Sequence, residues 1–154
     1  MNRLDDLLAA QPPSAPAIGS VEGPALTYGE LLELSRSTRT QLRGAGVDPQ
    51  DRIAIVVPNG PLAASSFVAL ANTAATAPLN PAYTAQELRF YLNDIGARLV
   101  VVEPESPPAV REVAADIGMP IATLEPDARG NGGFTLSLES IGPASPRGRP
   151  GPKD

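Results

Sequence analysis

Cysteine, histidine and tryptophan are absent from this chain. Without thiols or imidazoles there can be no disulfide, no thiolate or imidazole zinc site, no Ser-His-Asp triad and no Cys-His nucleophile pair. Lysine is reduced to Lys153, so a Schiff-base lysine on a rigid element is excluded as well. Any metal would have to be held by carboxylates alone. Aromatics make up only 4% of the chain, so the core must be built from Leu, Val, Ile and Ala, with Tyr28, Phe67, Phe90 and Tyr91 expected as its larger fillers. Long apolar runs are missing too. No stretch approaches the roughly 20 residues that span a bilayer, and the chain opens MNRLDDLLAAQPP, with acids where a signal peptide carries basic residues. A soluble, cytoplasmic protein without a membrane partner is the expectation.

Positive charge is also scarce. The formal charge is −5 and the pI about 4.7, and the local basic excess is confined to Arg147, Arg149 and Lys153 near the end of the chain. Nucleic-acid binding needs Lys and Arg clustered on one face, so nucleic acid is not an expected partner.

What is present reads as one ordinary globular domain: 154 residues, 42% apolar and 19% charged. Leu4, Leu7 and Leu8 have helical spacing, which predicts a short opening helix over residues 4 to 10, ended by Pro12-Pro13. Pro16 to Thr27 reads as two short extended pieces around Glu22-Gly23, a candidate hairpin. Thr27-Tyr28-Gly29-Glu30 is a capping box, followed by a helix with Leu31, Leu34, Thr38 and Leu42 on one stripe and closed by Gly44-Ala45-Gly46. Ile53 to Val57 is a continuous apolar run, as expected of a strand covered on both faces.

Pro61 suits the first position of a helix, whose buried stripe is expected to be Phe67, Leu70, Ala71 and Ala74. A short strand over Thr76 to Leu79 is stopped by Asn80-Pro81. Thr84-Ala85-Gln86-Glu87 is a second capping box, with Leu88, Tyr91, Leu92 and Ile95 repeating at helical spacing before Gly96. Arg98 to Val102 reads as a strand, Pro107 to Ile117 as a helix on Val110, Val113, Ala114 and Ile117, and Pro120 to Leu124 as a strand. Phe134 to Leu138 reads as an edge strand or hairpin arm beyond the turn Arg129-Gly130-Asn131-Gly132-Gly133. Strand and helix alternate from about 52 to 124, which requires a parallel sheet with helices on both faces. The fold class is therefore α/β, with residues 1–141 as the α/β subdomain and 142–154 as a Pro/Gly-rich linker or tail.

Ligands in open α/β sheets sit beyond the carboxyl ends of strands. The loops to consider are Pro58-Asn59-Gly60, Asn80-Pro81-Ala82 and Glu103-Pro104-Glu105-Ser106. The first has one glycine where a dinucleotide fingerprint needs three, and reads as a plain strand-to-helix turn. Asn80 and Tyr83 could reach a ligand, although an asparagine more commonly closes its own turn. Glu103 and Glu105 could in principle hold magnesium, but beside two prolines they read better as a solvated cap for the next helix.

Two stretches, PALTYGELLELSRSTRTQLRGAGVDPQDRIAIVVPNG (Pro24 to Gly60) and TAPLNPAYTAQELRFYLNDIGARLVVV (Thr76 to Val102), resemble the opening subdomain of the adenylate-forming acid–CoA ligases. The resemblance runs over roughly residues 4 to 125, and Ala75 to Leu92 looks most like the oxalate–CoA ligase branch. It departs at Asn72-Thr73-Ala74, where the family usually has a basic residue followed by Ala-Gly, a change expected to alter packing or a surface contact. The resemblance implies adenylation of a carboxylate by ATP followed by thioester formation with CoA, with magnesium, in the complete enzyme. It implies no catalytic, cofactor-binding or metal residue in this chain. The family's phosphate loop ends in Gly-x-Pro-Lys-Gly, but neither its Ser/Thr run nor a feeding strand precedes Gly151-Pro152-Lys153. The implied role is scaffolding, inactive alone and partnered by the remainder of the ligase or a complementary chain. The alternative is a stand-alone, non-catalytic interaction module of the same fold.

Overall fold

The computed structural model describes residues 4–19 and 23–138. The expected linker, including Arg147, Arg149 and Lys153, lies outside the described residues. The elements follow in the anticipated order: α1 (Leu4–Ala9), β1 (Pro16–Ile18), β2 (Leu26–Thr27), α2 (Tyr28–Gly44), β3 (Arg52–Val56), α3 (Pro61–Ala71), β4 (Ala75–Pro78), α4 (Ala85–Ile95), β5 (Leu99–Val102), α5 (Pro108–Ile117), β6 (Ile121–Pro126) and β7 (Phe134–Leu138). β1 and β2 form a small antiparallel hairpin.

Local chemistry sets the helix ends. Thr27 and Thr84 each accept the backbone N–H of the third helical residue, while Glu30 and Glu87 reach back to the cap's own N–H. At the other end, Gly96 and Gly118 adopt left-handed conformations, φ 69° and φ 70°, that glycine takes without a Cβ penalty. At the end of α2, the Gly46 N–H donates to the Arg43 carbonyl and the Val47 N–H to that of Leu42, the paired bonds of a Schellman turn. Leu42 and Val47 are buried in the same cluster, so the turn also fastens the helix to the core.

The main sheet has five strands in the order β4-β3-β5-β6-β7. The first four are parallel, in register Ile53↔Thr76 for β3 with β4 and Ile53↔Leu99 for β3 with β5. The chain thus adds β4 on one side of β3 and then crosses to add β5 on the other. β7 runs antiparallel to β6, so Leu138 lies at the pole from which the parallel strands start. β4 carries Pro78, which lacks an N–H and is tolerated at the margin of a sheet.

Alternation along the strands divides the core in two. Ile53, Ile55, Leu99, Val101, Ala122 and Leu124 face α2 and α3, where they meet Leu42, Ala69 and Leu70. Ala54, Val56, Val100 and Val102 face α4 and α5, where they meet Leu88, Leu92, Val110 and Val113. Both faces are therefore covered, which is why these strands read as unbroken apolar runs. A third, smaller cluster of Leu8, Leu26 and Leu31 seats α1 and the hairpin against α2.

The aromatic expectations need correction. Phe67 and Phe90 are 41% and 61% exposed, and Tyr28 and Tyr91 are half-buried. α3 turns Ser65, Ser66, Ala69 and Leu70 inward instead of the Phe67 face, and Ala71 is only half-buried. Small residues enter the core there because their hydroxyls are satisfied: Ser66 donates to the Ala63 carbonyl of its own helix at 3.2 Å, and Ser65 donates to the Gly132 carbonyl at 2.6 Å. The buried aromatic is Phe134, on β7.

Candidate functional site

A cleft of about 820 Å³ opens beyond the carboxyl ends of β3 and β4, on the side covered by α3. Its floor is Ile55, Val57 and Leu79, and one wall is the first half of α3, with Gly60, Ala63, Ala64 and the exposed Phe67. The opposite wall is the Asn80-Pro81-Ala82 turn. Two of the three loops singled out in the sequence, Pro58-Asn59-Gly60 and Asn80-Pro81-Ala82, are thereby brought together. Glu103-Pro104-Glu105-Ser106, at the end of β5, does not contribute to the lining.

The chemistry of the lining is limited. Asn59 and Asn80 are its polar side chains, and no carboxylate, ammonium, guanidinium or hydroxyl is among the lining residues. Asn80 Oδ1 accepts the Ala82 N–H at 2.8 Å and the Asn80 carbonyl accepts the Tyr83 N–H at 3.1 Å, so this asparagine closes its own turn. Tyr83 packs away from the cleft and stacks on Tyr91 with ring centroids 4.9 Å apart. Desolvation, with Tyr91 adding to it, raises the Tyr83 hydroxyl above its usual range. The cleft is open to solvent, it offers apolar side chains to a ligand, and none of its lining side chains is able to transfer a proton.

A triphosphate with its magnesium does not fit the side chains of this lining, because none of them carries a charge that would neutralise it. Nor do the described residues contain a group of three or more Asp or Glu able to hold a metal ion. At the 103–106 loop, Ser106 Oγ accepts the Glu103 N–H at 3.0 Å and closes the turn. α5 begins at Pro108 with Pro107 before it and has no side-chain cap, so the expectation that Glu103 and Glu105 cap that helix is not met. The rigid prolines already set the entry to the helix.

Sequence reasoning missed a buried polar network beneath α3. Asp5, on α1, accepts a hydrogen bond from Ser35 Oγ at 2.6 Å, and Asn72 Nδ2 donates to the same Ser35 oxygen at 2.8 Å. Asn72 Oδ1 accepts the Asp5 N–H at 3.3 Å, closing a ring of contacts among α1, α2 and the end of α3. Arg39 adds a charge contact to Asp5 at 2.7 Å. Asn72, at the departure from the family pattern, thus contacts other elements: its amide reads both Ser35 and the α1 backbone. Arg43 secures the neighbouring position by donating to the Thr73 carbonyl at 2.7 Å.

The family model described as AMP-binding enzyme matches residues 6–140. Among curated relatives, 4-coumarate–CoA ligase 3 of Oryza sativa subsp. japonica is 36% identical over 104 residues, covering 67% of this chain and 19% of that protein. The oxalate–CoA ligase of Arabidopsis thaliana is 35% identical over 94 residues, covering 60% and 18% respectively. Among solved structures, ATP-bound MatB from Rhodopseudomonas palustris superposes with a TM-score of 0.69 at 28% identity, over 84% of this chain and 26% of that one. The chain spans about a fifth of the length of these two curated relatives.

Proposed function

The chain belongs to the AMP-binding enzyme family, and from that premise we propose that it forms the amino-terminal part of an ATP-dependent acid–CoA ligase, the part that scaffolds the active-site cleft. The observation that carries this reading is the cleft itself. It stands where α/β sheets bind ligands, yet none of its lining residues is ionisable. Adenylation requires the phosphates to be neutralised and a carboxylate to be held for attack, and these residues do neither. ATP, magnesium and CoA are therefore assigned to the remainder of the ligase, with a small organic carboxylate as the acid substrate. That remainder, in the same or a complementary polypeptide, is the proposed partner. Its seat is the mouth of the cleft around Phe67, which an isolated domain would leave in water.

The chain is 154 residues long, and ATP–pyrophosphate exchange on that purified polypeptide tests the scaffolding role directly. The expected outcome is background exchange with every carboxylate in a panel that includes oxalate and hydroxycinnamates. Exchange above background, or tight stoichiometric ATP binding by calorimetry, would overturn the assignment.

A further inference from the structure

The turn joining β6 to β7 is anchored more firmly than a surface hairpin requires. Asn131 is fully buried there. Its Nδ2 donates to the Pro24 carbonyl at 3.0 Å, and its Oδ1 accepts the Gly133 N–H at 3.1 Å. Gly132 follows with φ +101°, where a β-carbon would stand 2.8 Å from the Pro61 carbonyl oxygen and 3.1 Å from Ser65 Oγ. The Gly132 carbonyl accepts a 2.6 Å hydrogen bond from Ser65 Oγ. Arg129 secures the outer end of the turn, donating to Glu30 at 2.8 Å and to Asp127 at 3.0 Å.

Among these contacts, those of Gly132 fall on the first turns of α3, while Asn131 and Arg129 tie the hairpin to the segment before β2 and to α2. Unlike α2 and α4, α3 has no side-chain cap, and its N-cap is Gly60. Helix starts whose first amides lack partners fray unless packing holds them. The inward face of the same turn bears Ser65, against the hairpin, while its other face bears Gly60, Ala63 and Ala64, which line the cleft.

We propose that residues 127–133 act as a strap that fixes the start of α3, and with it one wall of the cleft. Asn131 is the anchor and the Ser65–Gly132 hydrogen bond is the point of grip. Ser65 and Asn131 are thus positioning residues that are not themselves among the lining residues. This inference stands whether or not the chain is a ligase scaffold, since it concerns only how the cleft wall is held.

Hydrogen exchange read by mass spectrometry on the full chain tests it. Asn131→Ala and Ser65→Ala are each expected to speed exchange about tenfold in segments covering 60–66 and 127–133, while 85–117 keeps its protection. Gly132→Ala is expected to do the same, because the added methyl group meets the Pro61 carbonyl. Asn131→Asp, which sets a buried carboxylate oxygen against the Pro24 carbonyl in place of the donor, is expected to give at least as large an increase. Unchanged exchange at 60–66 in the Ser65 and Asn131 variants overturns the proposal, and so does a uniform increase along the chain, which would mark a general loss of stability. Should Asn131→Ala fail to fold, Ser65→Ala decides, as it removes a single oxygen.

Discussion

At the scale of single residues, the buried polar groups join elements that lie far apart in the chain. Asp5 is almost wholly enclosed, and its carboxylate is satisfied only because Ser35 and Arg39 both face it. Asp5→Ala leaves the Ser35 hydroxyl and the guanidinium without that acceptor, and is expected to cost about 2 kcal/mol or more, measured as a fall in urea midpoint. Glu30 offers a pH-dependent counterpart. Its hydrogen bond from Arg129, reinforced by the Thr27 N–H, holds the carboxyl below its usual value of 4.5. Because the folded-state pKa is the lower one, the stabilisation is present above 4.5 and is lost as pH falls through the depressed value. The stability gap between the wild type and Glu30→Gln should therefore narrow as urea titrations move from about pH 6 to about pH 3. Both sites illustrate what one sequence conceals: Asn72 stands out as a departure, but its partners Asp5 and Ser35 lie 67 and 37 positions away.

At the scale of elements, the helix boundaries were legible because their causes are local. Thr27, Glu30, Thr84 and Glu87 form capping boxes within four residues, and Gly46, Gly96 and Gly118 stop helices by a conformation only glycine takes easily. Thr84→Ala should cost about 1 kcal/mol by urea denaturation through the lost cap, and Gly96→Ala about as much again through its left-handed backbone. The orientation of α3 was not legible. Its residues are small or apolar nearly all round, so periodicity gives no preferred face, and the partner of the buried Ser65 comes from the β6–β7 turn, far along the chain.

At the scale of the whole molecule, alternation of strand and helix was enough to give a parallel sheet with helices on both faces. The strand order was not derivable that way, since β4 and β5 could each have been placed on either side of β3. The meeting of the 58–60 and 80–82 loops depends on that order, as does the isolation of the 103–106 loop. The cleft also leaves Phe67 in water, so Phe67→Ser should reduce dye binding to exposed apolar surface and any self-association seen by sedimentation. Its effect on stability is expected to stay within about 1 kcal/mol, because little of the ring's contact is with the core.

The reversed direction of β7 bears on how this domain can be instrumented. A strand of its size is about 17 Å long, so its far end stands a full sheet-height from the cleft mouth. A fluorophore or surface tether coupled beside Leu138 would therefore occupy the pole opposite the opening, leaving that opening clear for titration by whatever it receives.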